Sequence, residues 1–191
     1  MVKCLVIARV FARSLLLVGF CSLAMASDDG KDQSIALADG KLLLTAPKGW
    51  VRKQPSVRIV EHEFAAPKTG DDEIDGRFTV MSAGGSVEAN IDRWIGQFTQ
   101  PDGGSTKEKT KKHELTIEKN KVHVVDITGN YKDQPKGPMG PNVTREGFRM
   151  LAAIIETEKS GTIFLKFYGP KATVTANEKP FLEMLQSLKA K

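Results

Sequence analysis

Few residues in this chain are equipped for acid-base or metal chemistry: among 191 residues there are three histidines, His62, His113 and His123, and two cysteines, Cys4 and Cys21. His113 to Ile117 and Val122 to Tyr131 are apolar-alternating runs joined at Glu118-Lys119-Asn120-Lys121, a pattern that predicts a β-hairpin. With Ile117 opposite Val122, His113 falls directly opposite Asp126, at a Cβ separation of roughly 5 Å. A carboxylate there would fix the imidazole tautomer for metal binding or proton transfer, with His123 as a further candidate ligand. A slip of one residue abolishes the pairing. The bland alternative, an edge ion pair or a satisfied polar pair, is the favoured reading of these residues.

Other chemical motifs are weaker. His62 stands between Glu61 and Glu63 on a strand, so the two carboxylates share one face and the imidazole takes the other. The triplet alone therefore makes no compact site, and a structural zinc or copper would need His113 or His123 brought close. His62-Glu63 and His113-Glu114 lack the second histidine of a zinc-protease helix, and no serine sits in a GxSxG elbow. Gly84-Gly85 and Gly103-Gly104 lack phosphate-loop spacing; Gly84-Gly85-Ser86 reads instead as a strand exit followed by a helix cap. No cofactor is implied. Asn142-Val143-Thr144 is a glycosylation sequon, of consequence only in a eukaryotic secretory route.

The most suggestive surface runs from Lys132 to Gly147, sixteen residues rich in proline and glycine. Loops of this length without regular structure are usually functional or disordered. Tyr131, Lys132, Lys136, Arg145 and Arg149 flank or occupy it, so a mobile segment bearing a phenol and several cations could close over a small anionic ligand or dock a partner protein. The competing reading is a solvated connection between two hairpins.

The elements that must position these residues are legible in outline. Two apolar runs around Asp39-Gly40 predict a first hairpin, and Trp50 is expected to anchor packing. Val57 to Phe64 and Arg77 to Ala83 read as strands. Val87, Ile91, Trp94, Ile95 and Phe98 form one stripe, predicting a helix over Val87 to Phe98. Lys107 to Lys112 reads as a solvated strand edge. Phe148 to Thr157 and Thr162 to Tyr168 predict another hairpin, and a final helix starts near Asn177 with Pro180 in its first turn. No repeat or interdomain linker is visible.

The first 26 residues carry only three charges, Lys3, Arg9 and Arg13, and then an uncharged run from Ser14 to Ala26. That run is too short to anchor in a bilayer, which takes roughly 20 apolar residues. It reads as a secretory signal peptide with Ala24-Met25-Ala26 as the processing site and cleavage between Ala26 and Ser27. Phe20 before Cys21 is too bulky for a lipoprotein signal. Residues 27–33 then form a flexible lead-in and residues 34–191 a single domain. Both cysteines leave with the signal, so disulfides and thiolate chemistry are excluded from the mature chain. Removing the three basic residues leaves 25 Lys and Arg against 23 Asp and Glu, a net charge of +2, which gives nucleic-acid binding little support. Membrane contact is expected only during export.

Together with this order of elements, the phrases APKGW (46–50), AGGSVEANIDRW (83–94), VDITGNY (125–131), GFRMLAAIIET (147–157) and KFYGPKATV (166–174) resemble secreted bacterial proteins of the PsbP-like fold, in an uncharacterised branch. The resemblance implies an α+β architecture, an antiparallel β-sheet flanked by helices in an α/β/α sandwich. It also implies a binding or accessory role, because known members of that fold act by binding; it transfers no ligand and no residue set. The expectation is an exported non-enzymatic binding protein with 132–147 as its surface. The alternative is a periplasmic metal-dependent or hydrolytic enzyme using His113 and Asp126.

Overall fold

The computed structural model describes residues 33–82, 84–134, 140–158 and 160–191. The signal segment, its Ala26-Ser27 cleavage site and Lys136 lie outside the described residues. The chain opens with a hairpin of β1 (Ser34–Leu37) and β2 (Leu42–Thr45), whose alternation sends Ile35, Leu37, Leu42 and Leu44 inward. Its turn, centred on Asp39-Gly40 as the sequence predicts, takes left-handed backbone at Ala38, Asp39 and Gly40. Next come β3 (Val51–Lys53), β4 (His62–Ala66), β5 (Gly76–Ser82), α1 (Val87–Ile95), β6 (Phe98–Thr99) and α2 (Thr106–Lys109). The long strands β7 (Lys111–Ile117), β8 (Asn120–Asp133), β9 (Val143–Thr157) and β10 (Gly161–Pro170) follow, and the chain finishes with α3 (Lys171–Ala176), α4 (Glu178–Gln186) and β11 (Lys189–Ala190).

The antiparallel main sheet runs β3-β4-β5-β10-β9-β8, and the far edge of β8 is shared by β7 along residues 120–126 and by β6 at residues 130–131. Alternation along the strands separates two cores. On one face Ile154, Phe164, Ala152 and Val125 meet Ile91, Trp94 and Ile95 of α1, with Trp94 edge-on to Phe164 at 6.0 Å. On the other, Phe64, Phe78, Leu165 and Phe167 meet α3, α4 and the small sheet β1-β2-β11. Trp50 is the predicted anchor: its ring lies 5.4 Å from Phe78 and 4.8 Å from Phe167, and its Nε1–H donates to Asn177 Oδ1 at 2.8 Å. Ser86 caps α1, its hydroxyl accepting from the Ala89 N–H; such a cap contributes about 1 kcal/mol.

Several expectations are corrected. The strand expected over Val57 to Phe64 begins only at His62, because the chain turns back at a Val60 N–H to Val57 C=O bond and leaves Ile59 69% exposed. Lys107 to Lys112 is not continuous strand, since Ser105 caps the single turn α2 before β7 starts. The hairpin β7-β8 closes on a two-residue turn, Glu118-Lys119, with φ of +48° and +66°, and Ile117 pairs with Asn120 rather than Val122. Such turns usually carry Asn-Gly. Here the Asn120 amide supports the turn by donating to the Ile117 and Glu118 carbonyls at 3.3 and 2.9 Å.

The sixteen-residue loop is also much shorter than expected. β8 runs on to Asp133 and β9 begins at Val143, pairing Tyr131 with Arg145, Lys132 with Thr144 and Asp133 with Val143. A bulge lies between Gly129 and Tyr131, where β9 carries the extra residue and Gly147 takes φ +62°. Gly129 itself has no room for a side chain, as a Cβ there would stand 2.6 Å from the Thr99 carbonyl oxygen of β6.

Candidate functional site

α1 ends at Ile95 and packs on β8, β9 and the Phe164 end of β10. Beyond it the register gathers polar groups on the same sheet face: Tyr168 pairs with Arg77, and Lys166 pairs with Thr79, which in turn pairs with Glu63. Lys166 Nζ donates to Gln97 Oε1 at 2.8 Å and to the Tyr131 hydroxyl at 3.0 Å. It also lies 4.7 Å from the Tyr168 ring centroid and 5.0 Å from that of Tyr131, within cation–π range. Tyr131 is held by Phe148, stacked at 6.0 Å, and by Phe98 and Tyr168, both at 5.1 Å. Arg77 forks Glu63 with bonds of 2.9 and 2.8 Å and donates to the Tyr168 hydroxyl at 2.7 Å.

Two lobes open onto this cluster. One, of about 190 Å³, reaches Lys166, Thr79 and Gln97; the other, of about 340 Å³, reaches Glu63 and Phe148. They share Val57, Arg77, Asp133, Gln134 and Tyr168. Apolar side chains border them, with Val57, Ile59 and Ile74 all exposed.

The electrostatics are asymmetric. Burial pushes the Lys166 ammonium down to about 7, the Arg77 and Arg93 charges push the same way, and Asp133 opposes them. Burial, reinforced by Tyr168 and Asp133, holds the Tyr131 phenol well above its ordinary range, and burial raises Tyr168 against the pull of Arg77. The hydrogen bonds that Arg77 donates to Glu63 lead in keeping it firmly charged. Two of the nearby carboxylates have a guanidinium: Glu63 has Arg77, and Asp133 has Arg145, whose Nε–H donates at 3.2 Å; Asp75, at the larger lobe, accepts from the Lys68 backbone N–H. Lys166 has no ion-pair partner among the described residues.

The residues singled out in the sequence are divided among three places. Tyr131 and Lys132 belong to this cleft, and Arg145 braces its Asp133 wall. Arg149 faces the opposite side of the sheet and is buried; it forks Asp126 at 2.9 and 2.9 Å and reaches Thr175 and Glu178 of the α3-α4 layer at 3.1 and 2.9 Å. Its guanidinium is thereby consumed in holding layers together and does not front the loop.

The pairing of His113 with Asp126 does not occur. The two-residue turn sets His113 opposite Val124 and Asp126 opposite Lys111, and Asp126 gives both carboxylate oxygens to Arg149. His123 pairs with Glu114, on the other face of the ribbon from His113. Its Nδ1 lies 3.1 Å from Glu114 and its Nε2 2.6 Å from Glu156, so both ring nitrogens are engaged by carboxylates. Glu114 is held below the usual carboxylate range by its bond from Lys121, with His123 adding to it. A hollow of about 330 Å³ between α1 and the β7-β8 hairpin is lined by His113, Glu114 and His123 together with Glu88 and Asp92 of α1. No group of three or more His, Asp or Glu among the described residues is placed to hold a metal ion.

Lys166 and Arg77 escaped the sequence reading. The available signal was a lysine at the centre of the apolar run Thr162 to Tyr168, in step with Phe164 and Tyr168 on one face, where a solvated lysine would not be expected.

No protein-family model matches the chain, and no curated protein matches it. Among solved structures, the cyanobacterial PsbP of Synechocystis sp. PCC 6803 superimposes with a TM-score of 0.50 at 9% identity, over 88% of this chain and 99% of that one. A Pseudomonas aeruginosa protein of unknown function gives 0.46 at 13% identity, over 83% of this chain and 96% of that one. The Ran-binding protein Mog1p of Saccharomyces cerevisiae gives 0.45 at 9%, over 82% and 94%. At such identities the likeness speaks for architecture alone, and the chain has the mixed α+β sandwich of the PsbP-like fold.

Proposed function

We propose that this chain is an exported, non-enzymatic binding or accessory protein whose ligand-binding face is the cleft over Lys166. The observation that carries this reading is an ammonium without a counter-ion at the base of an open cleft with an apolar rim. Buried charge of that kind is costly unless paired, so an anion arriving there replaces a missing partner. The end of β8 contributes Tyr131, Lys132, Asp133 and Gln134 to the walls, so the cleft takes over the part expected of segment 132–147. Export is supported by the charged and then apolar N-terminal pattern, and no described helix is long and apolar enough to cross a membrane. Binding rather than catalysis is favoured because Asp126, His123, Glu63 and Arg77 are all held in pairs.

The test is a thermal-shift scan of the purified protein against small anions, metabolites and divalent metals. A ligand at 100 times its Kd stabilises by about 2.7 kcal/mol, raising Tm by roughly 5 to 10 °C in a domain of this size. The shift should disappear in Ile59→Glu, an exposed rim position, and survive in His113→Ala. The opposite pattern would move the site to the β7-β8 hairpin and revive a metal-dependent role.

A further inference from the structure

The cleft also carries information about what it binds. Around Lys166, Arg77 of β5 is forked by Glu63 of β4, Asp133 of β8 is held by Arg145 of β9, Arg93 of α1 donates to the neutral Asn90 Oδ1 at 2.7 Å, and Lys132 is an exposed part of the cleft wall. Tyr131 and Tyr168 stay neutral. Lys166 therefore remains a buried cation without an acid partner among the described residues, with the carboxylates of Glu63 and Asp133 flanking the cleft. A ligand bringing a single negative charge balances it, whereas a second negative charge would face Glu63 and Asp133.

Nζ has three donors. Two go to Gln97 and Tyr131, and the third has no protein acceptor among the described residues. The apolar part of the lobe that reaches Lys166 is formed by the Tyr168 ring, Met81, Val57 and Ile59. Resting on the proposed role of this cleft, we infer that it binds monocarboxylates with a flat apolar body, the carboxylate seated on Lys166 Nζ and the body against Tyr168 between Val57 and Ile59.

This arrangement couples binding to a proton. The empty cleft favours the neutral amine above about pH 7, while a bound carboxylate favours the ammonium, so above that pH the ligand must bind together with a proton. Isothermal titration with benzoate, in two buffers of different ionisation enthalpy, reads this directly. At pH 8 most of one proton should be taken up, and at pH 6 almost none. Affinity should fall up to about tenfold per pH unit above 7. Terephthalate and inorganic phosphate should bind about tenfold more weakly than benzoate at pH 8. Lys166→Met should weaken benzoate by about tenfold or more, and Lys166→Arg, with a permanent charge, should bind without proton uptake.

Absence of benzoate binding, equal affinity in Lys166→Met, no proton uptake at pH 8, or tighter binding of phosphate would each overturn the inference. If benzoate fails while another ligand from the thermal scan is lost in Ile59→Glu, the monocarboxylate assignment falls and the binding role of the cleft stands. If no ligand responds to Ile59→Glu, the binding role itself falls.

Discussion

Arg149 and Lys166 are both cations in the middle of the main sheet, on neighbouring strands, yet they face opposite layers and meet opposite fates. Arg149 is enclosed by Asp126, Glu178 and Thr175, with each contact at hydrogen-bond distance. Those bonds lead in raising it further above its already high range. Lys166 is enclosed by two aromatic rings and an amide, and its charge is suppressed. A saturated buried charge locks one arrangement of layers in place. An unsaturated one leaves a demand that only something from outside the fold can meet.

Mutations that unbalance each cation sharpen this contrast. The largest effect is expected from Arg149→Met, which leaves Asp126 and Glu178 facing each other without a cation. Removing one partner of such a pair costs about 3 kcal/mol, readable as a lower urea midpoint; a loss under about 1 kcal/mol would mean that the α3-α4 layer is held by packing alone.

Lys166→Met should act in the other direction, stabilising the free protein by about 1 to 2 kcal/mol at pH 6, since an apolar chain of similar length replaces an uncompensated charge. The pH slope has the same sign as for a carboxylate with a depressed pKa, but here it reports the relief of a penalty rather than the gain of a favourable interaction. Lys166 is depressed in the folded state from its ordinary 10.5 to about 7, so between these values the unfolded chain holds a proton that the folded one lacks. Stability of the unsubstituted protein therefore rises with pH across that window, and its deficit against Lys166→Met should shrink towards pH 10. Parallel pH profiles of the two proteins would contradict the idea.

Tyr131→Phe is the mildest change. It deletes the hydroxyl that accepts from Lys166, costs about 1 kcal/mol, and should move the rise in stability to lower pH, because the ammonium loses an acceptor. An unmoved profile would show that the phenol does not help to hold the charge.

How much of this was legible depended on whether a feature was set locally. Ser86 with the stripe Val87, Ile91, Trp94 and Ile95 specifies its helix within a dozen residues, and the apolar runs of β9 and β10 specify theirs. The β7-β8 register rested instead on two non-glycine residues adopting left-handed backbone, which Glu118-Lys119 does not advertise. That shift of the pairing removed the His113–Asp126 site. β8 and β9 extend past Tyr131 and Phe148 because Tyr131, Lys132 and Asp133 find partners across the bulge, a long-range effect that loop composition conceals. Lys166 is the reverse case: its strand was recognised and its place in the strand face was visible, but its significance came only from where α1 stops.

The small sheet also bears on the order of events in folding. β2 pairs with β11, the Thr45 N–H donates to Ser187 Oγ across 142 residues of chain, and Trp50 donates to Asn177 across 127. Contacts that span so much sequence are the slowest to form. A chain still emerging can build the β8-β9-β10 meander from nearby partners, yet it cannot close the layer over Leu44 and Trp50 until residues 177–190 arrive. The α3-α4 side is thus the last to seal, and an incomplete chain stays open there for as long as it remains incomplete.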